Sequence, residues 1–129
     1  MAIVVSRTES GMSLTTSFAA LDNLAGASVS SSFNVPQGVT AIKQVAIATT
    51  ADGSDEYVPL IKISGNAMRD GDAVFTAAGM VIGATATGNA SNNIQYDTDL
   101  GVVSGNSVEL SLAGTTAATV DAAVTVTFA

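Results

Sequence analysis

The last eleven residues of the chain carry one of its most regular patterns, in which apolar and polar positions alternate from residue 119 to residue 129. One set of alternate positions is entirely apolar: Val120, Ala122, Val124, Val126 and Phe128. The other set is Asp121, Ala123, Thr125, Thr127 and Ala129. A period of two predicts a strand with one buried face. Because chain ends usually fray, an ordered strand here predicts a neighbouring strand that holds it.

Comparable segments recur along the chain and are separated by Gly, Asn and Asp. They span residues 2–6, 27–35, 40–50, 57–65, 73–83, 94–103 and 106–114. About eight strands at spacings of roughly 8–12 residues are typical of a sandwich or barrel. A parallel fold would need helical crossovers, for which there is no room. We therefore predict an all-β chain, with residues 1–129 forming a single β-sandwich or jelly-roll-like domain of mainly antiparallel strands.

The segment from residue 12 to residue 26 fits two patterns. Met12, Leu14, Thr16, Phe18 and Ala20 alternate as in a strand, whereas Phe18, Leu21 and Ala25 have helical spacing. Gly26 could end such a helix. We expect an extended entry followed by about two turns of helix over residues 17–24, and at most this one short helix in the chain.

The composition is apolar but short of large side chains. The chain is 47% hydrophobic, yet only 5% aromatic, and it contains no Trp. Small and β-branched residues favour closely packed strands rather than a deep aromatic pocket. The core is therefore expected to be thin, and burial against a partner is expected to supply part of the stability.

The charge balance excludes several partners. Four basic residues face eleven acidic ones, which gives a net charge of −7. Nucleic-acid binding needs clustered cations that neutralise phosphates, but the basic residues are scattered along the chain. Binding to a membrane surface through basic residues is disfavoured for the same reason. We expect neither nucleic acid nor membrane as a partner.

Histidine and cysteine are both absent, which removes the commonest general base, the commonest metal ligand and the thiol nucleophile. The acids cluster in or beside predicted turns, where Asp bonds its own backbone. They are also calcium candidates, since oxygen ligands converge in loops, although the spacing does not fit an EF-hand. These candidates are Asp52, Asp55, Glu56, Asp70, Asp72, Asp97 and Asp99. We interpret the chain as a protein that is not an enzyme, and we expect no catalytic residue and no cofactor.

The cellular compartment is indicated by the cysteine content and by the start of the chain. Without cysteine there are no disulfides. The start of the chain has no basic region before its short apolar run, so we expect no signal peptide. We therefore expect synthesis in the cytoplasm, followed by assembly into a particle, a route that needs no signal peptide; an extracellular location is the alternative.

Three strand–turn series carry a resemblance to a known class of proteins. They are SSSFNVPQGVTAIKQVAIAT (residues 30–49), YVPLIKISGNAM (57–68) and SVELSLAGTTAATVDAAVTVTF (107–128). In style they resemble small β-sandwich or jelly-roll viral structural proteins, namely capsid-decorating (cement) proteins and small single-jelly-roll capsid proteins. The resemblance implies a virion protein that forms symmetric oligomers and binds a capsid shell protein. The absence of a basic arm favours an outward, decorating role.

Edges of the predicted sandwich are the natural assembly surfaces, because they present unpaired backbone groups. Pro59 cannot donate to a ladder, so its strand is expected at an edge or a bulge. With the two terminal strands, this gives the interface candidates Ile3, Val5, Pro59, Thr125 and Thr127.

Two other functions stay open. A carbohydrate- or receptor-binding module would need an exposed aromatic platform, for which Tyr57 and Tyr96 are the plausible members. A subunit of an extracellular filament or surface layer would normally need export.

Overall fold

The computed structural model describes residues 2–24, 27–28, 31–51, 57–76 and 90–129. Within these ranges the chain is built from strands and turns, and no helix is present. In chain order the strands are β1 (Ile3–Leu14), β2 (Ala19–Ala20), β3 (Asn23–Leu24), β4 (Ala27–Ser28), β5 (Ser32–Asn34), β6 (Ala41–Ala51), β7 (Pro59–Ser64), β8 (Ala73–Thr76), β9 (Ala90–Gly101), β10 (Ser107–Gly114) and β11 (Ala118–Phe128).

Nine of these strands form two antiparallel sheets. The four-stranded sheet has the order β1-β11-β6-β9. The five-stranded sheet has the order β2-β10-β7-β8, and β5 also pairs with β10. The short strands β3 and β4 pair with each other. The predicted β-sandwich of mainly antiparallel strands is confirmed.

The strand pairing follows a jelly-roll scheme. Because β2 and β5 both pair with β10, they share one position, and the two sheets then contain eight positions in chain order. The first position pairs with the eighth (β1 with β11) and the second with the seventh. The third pairs with the sixth (β6 with β9) and the fourth with the fifth (β7 with β8). A ribbon of antiparallel pairs rolled into two sheets is the jelly-roll arrangement.

The regular strand at the end of the chain is an interior strand. β11 lies between β1 and β6, with Val126 opposite Val5 on one side and Val45 on the other. The chain beyond it is also tied down, because the carbonyl of Ala129 accepts hydrogen bonds from the backbone N–H groups of Thr40 and Ala41. These two ladders explain why the terminal strand does not fray.

Alternate residues of both sheets meet in one hydrophobic core. The four-stranded sheet contributes the predicted apolar set of β11, from Val120 to Phe128. The five-stranded sheet contributes Val108, Leu110 and Leu112 of β10, each fully buried. A T-shaped ring contact joins Phe128 to Phe33 of β5, with ring centroids 6.3 Å apart. The alternation read from the sequence therefore places the core correctly in these strands.

The helix predicted over residues 17–24 is wrong. Ala19 and Ala20 pair with β10 as β2, and Asn23 and Leu24 form β3. Leu21 is fully buried, and its N–H donates to the carbonyl of Leu110 at 3.0 Å. The backbone groups of this segment are thus satisfied by a neighbouring strand, which outweighs a marginal helical pattern of about two turns.

The first strand is longer than residues 2–6. β1 runs to Leu14, and its register against β11 shifts between Glu9 and Met12. Gly11 lies in this irregularity with a φ of 66°, in the left-handed region that glycine tolerates. The bulge changes the phase of the alternation, so the pattern looks interrupted although the strand continues.

Candidate functional surface

The middle of the outer face of the four-stranded sheet is built from small polar and alanine side chains. Cross-strand partners align in rows, one of which runs Ser6, Thr125, Ala46 and Gln95 across β1, β11, β6 and β9. The hydroxyls of Ser6 and Thr125 are 2.7 Å apart and share a hydrogen bond. This central row carries no charge, whereas a neighbouring row, Val4, Thr127, Gln44 and Asp97, ends in an exposed acid.

A shallow depression of about 210 Å³ lies in this face. Ala46, Ala48 and Ala123 contribute to its floor, and Thr125 and Gln95 stand at its sides. The depression exists because alanine fills less space than the polar side chains around it. A complementary surface could fit into the depression, but its lining contains no typical catalytic side chain.

Two of the interface candidates, Thr125 and Thr127, lie half-exposed on this outer face. Ile3 and Val5 point the other way and pack against the core. Their neighbour Val4 is the exposed apolar residue of the strand, at 61% of its full exposure. Sequence reasoning missed Val4, because an unbroken apolar run does not indicate which alternate set faces inward.

The interpretation of the Pro59 strand as an edge strand is wrong. β7 lies between β10 and β8, and Pro59 itself is buried opposite Gly114. Proline is tolerated because it is the first residue of the strand. Pro59 therefore lies away from any sheet edge.

The four-stranded sheet has two edge strands, β9 and β1, and within the described residues β1 pairs only with β11. Its inner face carries charge: Arg7 lies opposite Val124, and Glu9 lies opposite Ala122. The Arg7 guanidinium sits over the Phe33 ring, 4.7 Å from its centroid. Sequence reasoning did not single out Arg7 or Glu9, although charges at otherwise inward positions of a strand are a recognised sign of an edge.

Glu9 is a partly desolvated carboxylate. Burial raises the pKa of Glu9 above its usual value, and the neighbouring Asp22 adds to the rise through its side chain. The backbone N–H of Asp22 donates to Glu9 Oε1 at 3.4 Å and acts in the opposite direction. The net effect is that the folded structure disfavours the ionised form of Glu9.

The calcium candidates fall into two groups. Asp52, Asp55 and Glu56 lie outside the described residues. Among the described residues, no group of three or more acidic side chains converges to hold a metal ion. Asp72 lies 3.7 Å from the Lys62 ammonium, and Asp99 accepts from Lys43 at 2.7 Å.

The sequence placed Asp97 and Asp99 in or beside a turn, within a short strand and a bend over residues 94–103; the structure places them inside a longer strand. Both belong to β9, whose ladder with β6 continues on either side of them. Lys43 occupies the bulge in β6 opposite this stretch and pairs with Asp99. These acids therefore balance polar and basic groups on a neighbouring strand.

The two tyrosines do not form an exposed platform. Tyr57 is only 2% exposed. Tyr96 is half-buried, stacks on Phe75 with centroids 5.4 Å apart, and donates to the carbonyl of Thr76 at 3.0 Å. Burial also raises the pKa of Tyr96. Both rings stabilise the fold and leave no flat aromatic pair for stacking a sugar.

No helix long and apolar enough to cross a membrane occurs in the ranges that the structure describes.

Comparison with known proteins gives a likeness of fold. No protein-family model matches the sequence, and the search of curated proteins gives no significant match. Among solved structures, the chain is similar to a chain in the structure of infectious bursal disease virus, Gx strain, with a TM-score of 0.56 and 11% sequence identity. The match covers 98% of this chain but only 32% of the viral one. The chain therefore shares its β fold with part of a larger viral chain.

Proposed function

We propose that the chain is a non-catalytic structural protein of a virus particle, and that its 129 residues fold as one domain and assemble as a symmetric oligomer on or in the capsid. The observation that carries the proposal is the jelly-roll pairing over the described chain, together with a fold match to a virus structure that covers 98% of the chain. Viral capsid domains are among the principal users of this architecture.

The charge distribution supports a decorating position over a genome-facing one. The net charge is −7, so a packaged nucleic acid would repel the protein. Two of the four cations, Lys43 and Lys62, are already paired with aspartates. The partners proposed are copies of the chain and a capsid shell protein.

The surfaces support assembly rather than catalysis. The middle of the outer face of the four-stranded sheet, around Thr125 and Ala46, carries small uncharged side chains, and β1 presents an edge. The two raised pKa values, those of Glu9 and Tyr96, are caused first by burial. Neither group faces a second catalytic side chain across a cleft, among the residues described.

The binding-module alternative has less support. Its two candidate aromatics, Tyr57 and Tyr96, are engaged in the fold. A filament or surface-layer subunit would use the same edges. Only the shape of the assembly would distinguish that function from a role in a virus particle.

Sedimentation velocity of the purified chain over a wide concentration range, followed by negative-stain electron microscopy, tests the proposal. We expect a discrete oligomer whose population rises with concentration. A stable, folded monomer at high concentration that binds no particle or shell protein would overturn the proposal and favour the binding module.

A further inference from the structure

Two charges on the inner face of β1, Arg7 and Glu9, form no ion pair among the described residues. The ion pairs among the described residues join Lys43 to Asp99 and Lys62 to Asp72. Arg7 instead covers the Phe33 ring, and its buried Nε has no hydrogen-bond partner. Glu9 is half-buried and meets another acid, Asp22. A strand with one unpaired cation and one unpaired anion two residues apart is complementary to itself in the antiparallel direction.

The position of β1 makes such pairing possible. It ends the order β1-β11-β6-β9, so one side of the strand is without a ladder in the described structure, although β3 lies close to it and the N–H of Asp22 donates to Glu9. Extended chains add readily to a strand in this position. From Ile3 to Glu9 its register with β11 is regular, and only beyond Glu9 does the bulge begin.

We infer that β1 pairs antiparallel with β1 of a second copy, in the register that places Arg7 of each copy opposite Glu9 of the other. The two-fold axis then passes through residue 8, and the two four-stranded sheets become one continuous sheet. This inference rests on the proposed assembly function and names one of its contacts.

The charges select this register among the alternatives. Facing residues of an antiparallel pair must lie on the same face of the sheet, so registers differ in steps that preserve the alternation. Moving one step in one direction places Arg7 opposite Arg7. Moving one step in the other direction places Glu9 opposite Glu9. Like charges directly opposite each other are destabilising, whereas the inferred register forms two opposite-charge pairs.

The contact is small, because it consists of one strand edge from each copy. Its charge pairs therefore fix orientation and register more than they supply affinity. In a particle, several such weak contacts act together, and the effective concentration of neighbouring copies makes each one persist.

A charge-exchange experiment tests the inference. The Arg7→Glu variant carries two acids on the inner face of β1, and the Glu9→Arg variant carries two bases. Each variant alone should associate about tenfold or more weakly than wild type, because both facing pairs become repulsive. An equimolar mixture should recover association as a heterodimer, since every facing pair is again complementary. Sedimentation at low ionic strength measures all three samples.

Lys62→Glu is the matched control, because it reverses a partly exposed, ion-paired charge in the five-stranded sheet, away from β1, and should leave association unchanged. If wild type associates and both exchange variants associate equally well, the inferred register is overturned while the assembly function stands. A wild type that stays monomeric would also overturn the inferred pairing of β1 with β1. A mixture that associates no better than its components also overturns it.

Loss of folding in a variant is detected by its circular dichroism spectrum. In that case, hydrogen exchange of the wild type gives the answer without substitution. Backbone amides of residues 3–9 should exchange more slowly at high than at low protein concentration. Unchanged exchange in an associating sample would place the contact elsewhere and contradict the pairing.

Discussion

The two terminal strands lie side by side in the same sheet, yet they bury very different side chains. Where β11 places Val124 and Ala122 on the inner face, β1 places Arg7 and Glu9 directly opposite. β11 has a neighbour on each side, so its inner face is closed to water; β1 is an edge, so long charged side chains reach solvent past the strand. Position in the sheet, rather than position in the sequence, decides what a strand can carry.

The sharpest way to break this comparison is to place the same charge in both strands. Val126→Asp should cost at least about 4 kcal/mol, because a fully buried site would have to hold an unpaired carboxylate. The variant should be largely unfolded by circular dichroism.

Val5 is the cross-strand partner of Val126 and is its matched control. Val5→Asp should cost only about 1–2 kcal/mol, since the half-buried edge position lets the carboxylate reach water. Equal losses of unfolding free energy in the two variants would contradict the distinction between interior and edge.

The next test concerns a polar group that is fully enclosed. Thr49 of β6 is 2% exposed, and its hydroxyl has no hydrogen-bond partner among the described residues. Thr49→Val keeps the shape of the side chain and removes the unpaired group, so it should raise the unfolding free energy by about 1 kcal/mol. Urea denaturation measures the change. Thr127→Val, on the outer face, should stay within about 0.5 kcal/mol of wild type, and a similar gain there would attribute the effect to strand propensity.

Glu9 provides a smaller, pH-dependent test. Its pKa in the folded chain is raised, chiefly by burial, so the folded state binds the proton more tightly than the unfolded state does. The contribution of this group to stability is therefore complete below the unfolded pKa and is lost as the pH rises through the folded pKa.

Glu9→Gln should accordingly be slightly more stable than wild type at neutral pH. The difference should vanish below the ordinary glutamate pKa of about 4.3. Urea denaturation at low protein concentration measures both conditions without interference from association. A difference that grows as the pH falls would reverse the sign and refute the assignment.

The smallest expected effect on folding is on the outer face of β11. Thr125→Lys loses only an exposed hydrogen bond to Ser6, so the unfolding free energy should change by no more than about 0.5 kcal/mol. Association should weaken if this face meets a neighbour, because a long cation would replace a small uncharged side chain at the contact. Sedimentation and denaturation on the same sample separate the two effects, and a large loss of stability would place Thr125 in the core instead.

The same contrast explains what could be predicted from the sequence. In β10 and β11 each inward position is apolar, so the alternation indicated both the strands and their buried faces. In β1 the apolar run at the start hid which set faces inward, and the bulge at Gly11 concealed the second half of the strand. Local sequence patterns predict the interior strands well, because burial on one face constrains every second residue.

Features that depend on neighbours could not be read in this way. The segment that contains Leu21 fits a helical and an alternating pattern, and the hydrogen bond of Leu21 to Leu110 is a contact between distant parts of the chain. Pro59 indicated an edge, but a strand's first residue satisfies the same restriction. The pairing of Lys43 with Asp99, and the edge position of Arg7 and Glu9, likewise depend on strand order.

The central claim is that this jelly roll is a structural component of a virus particle, and electron microscopy of native material tests it most directly. Particles and cell extracts would be labelled with a gold-tagged antibody raised against the purified chain. The account predicts label on symmetric particles, at repeated positions on their surface. Label confined to filaments or a surface layer, or a native chain found only as an unattached soluble protein, would contradict it.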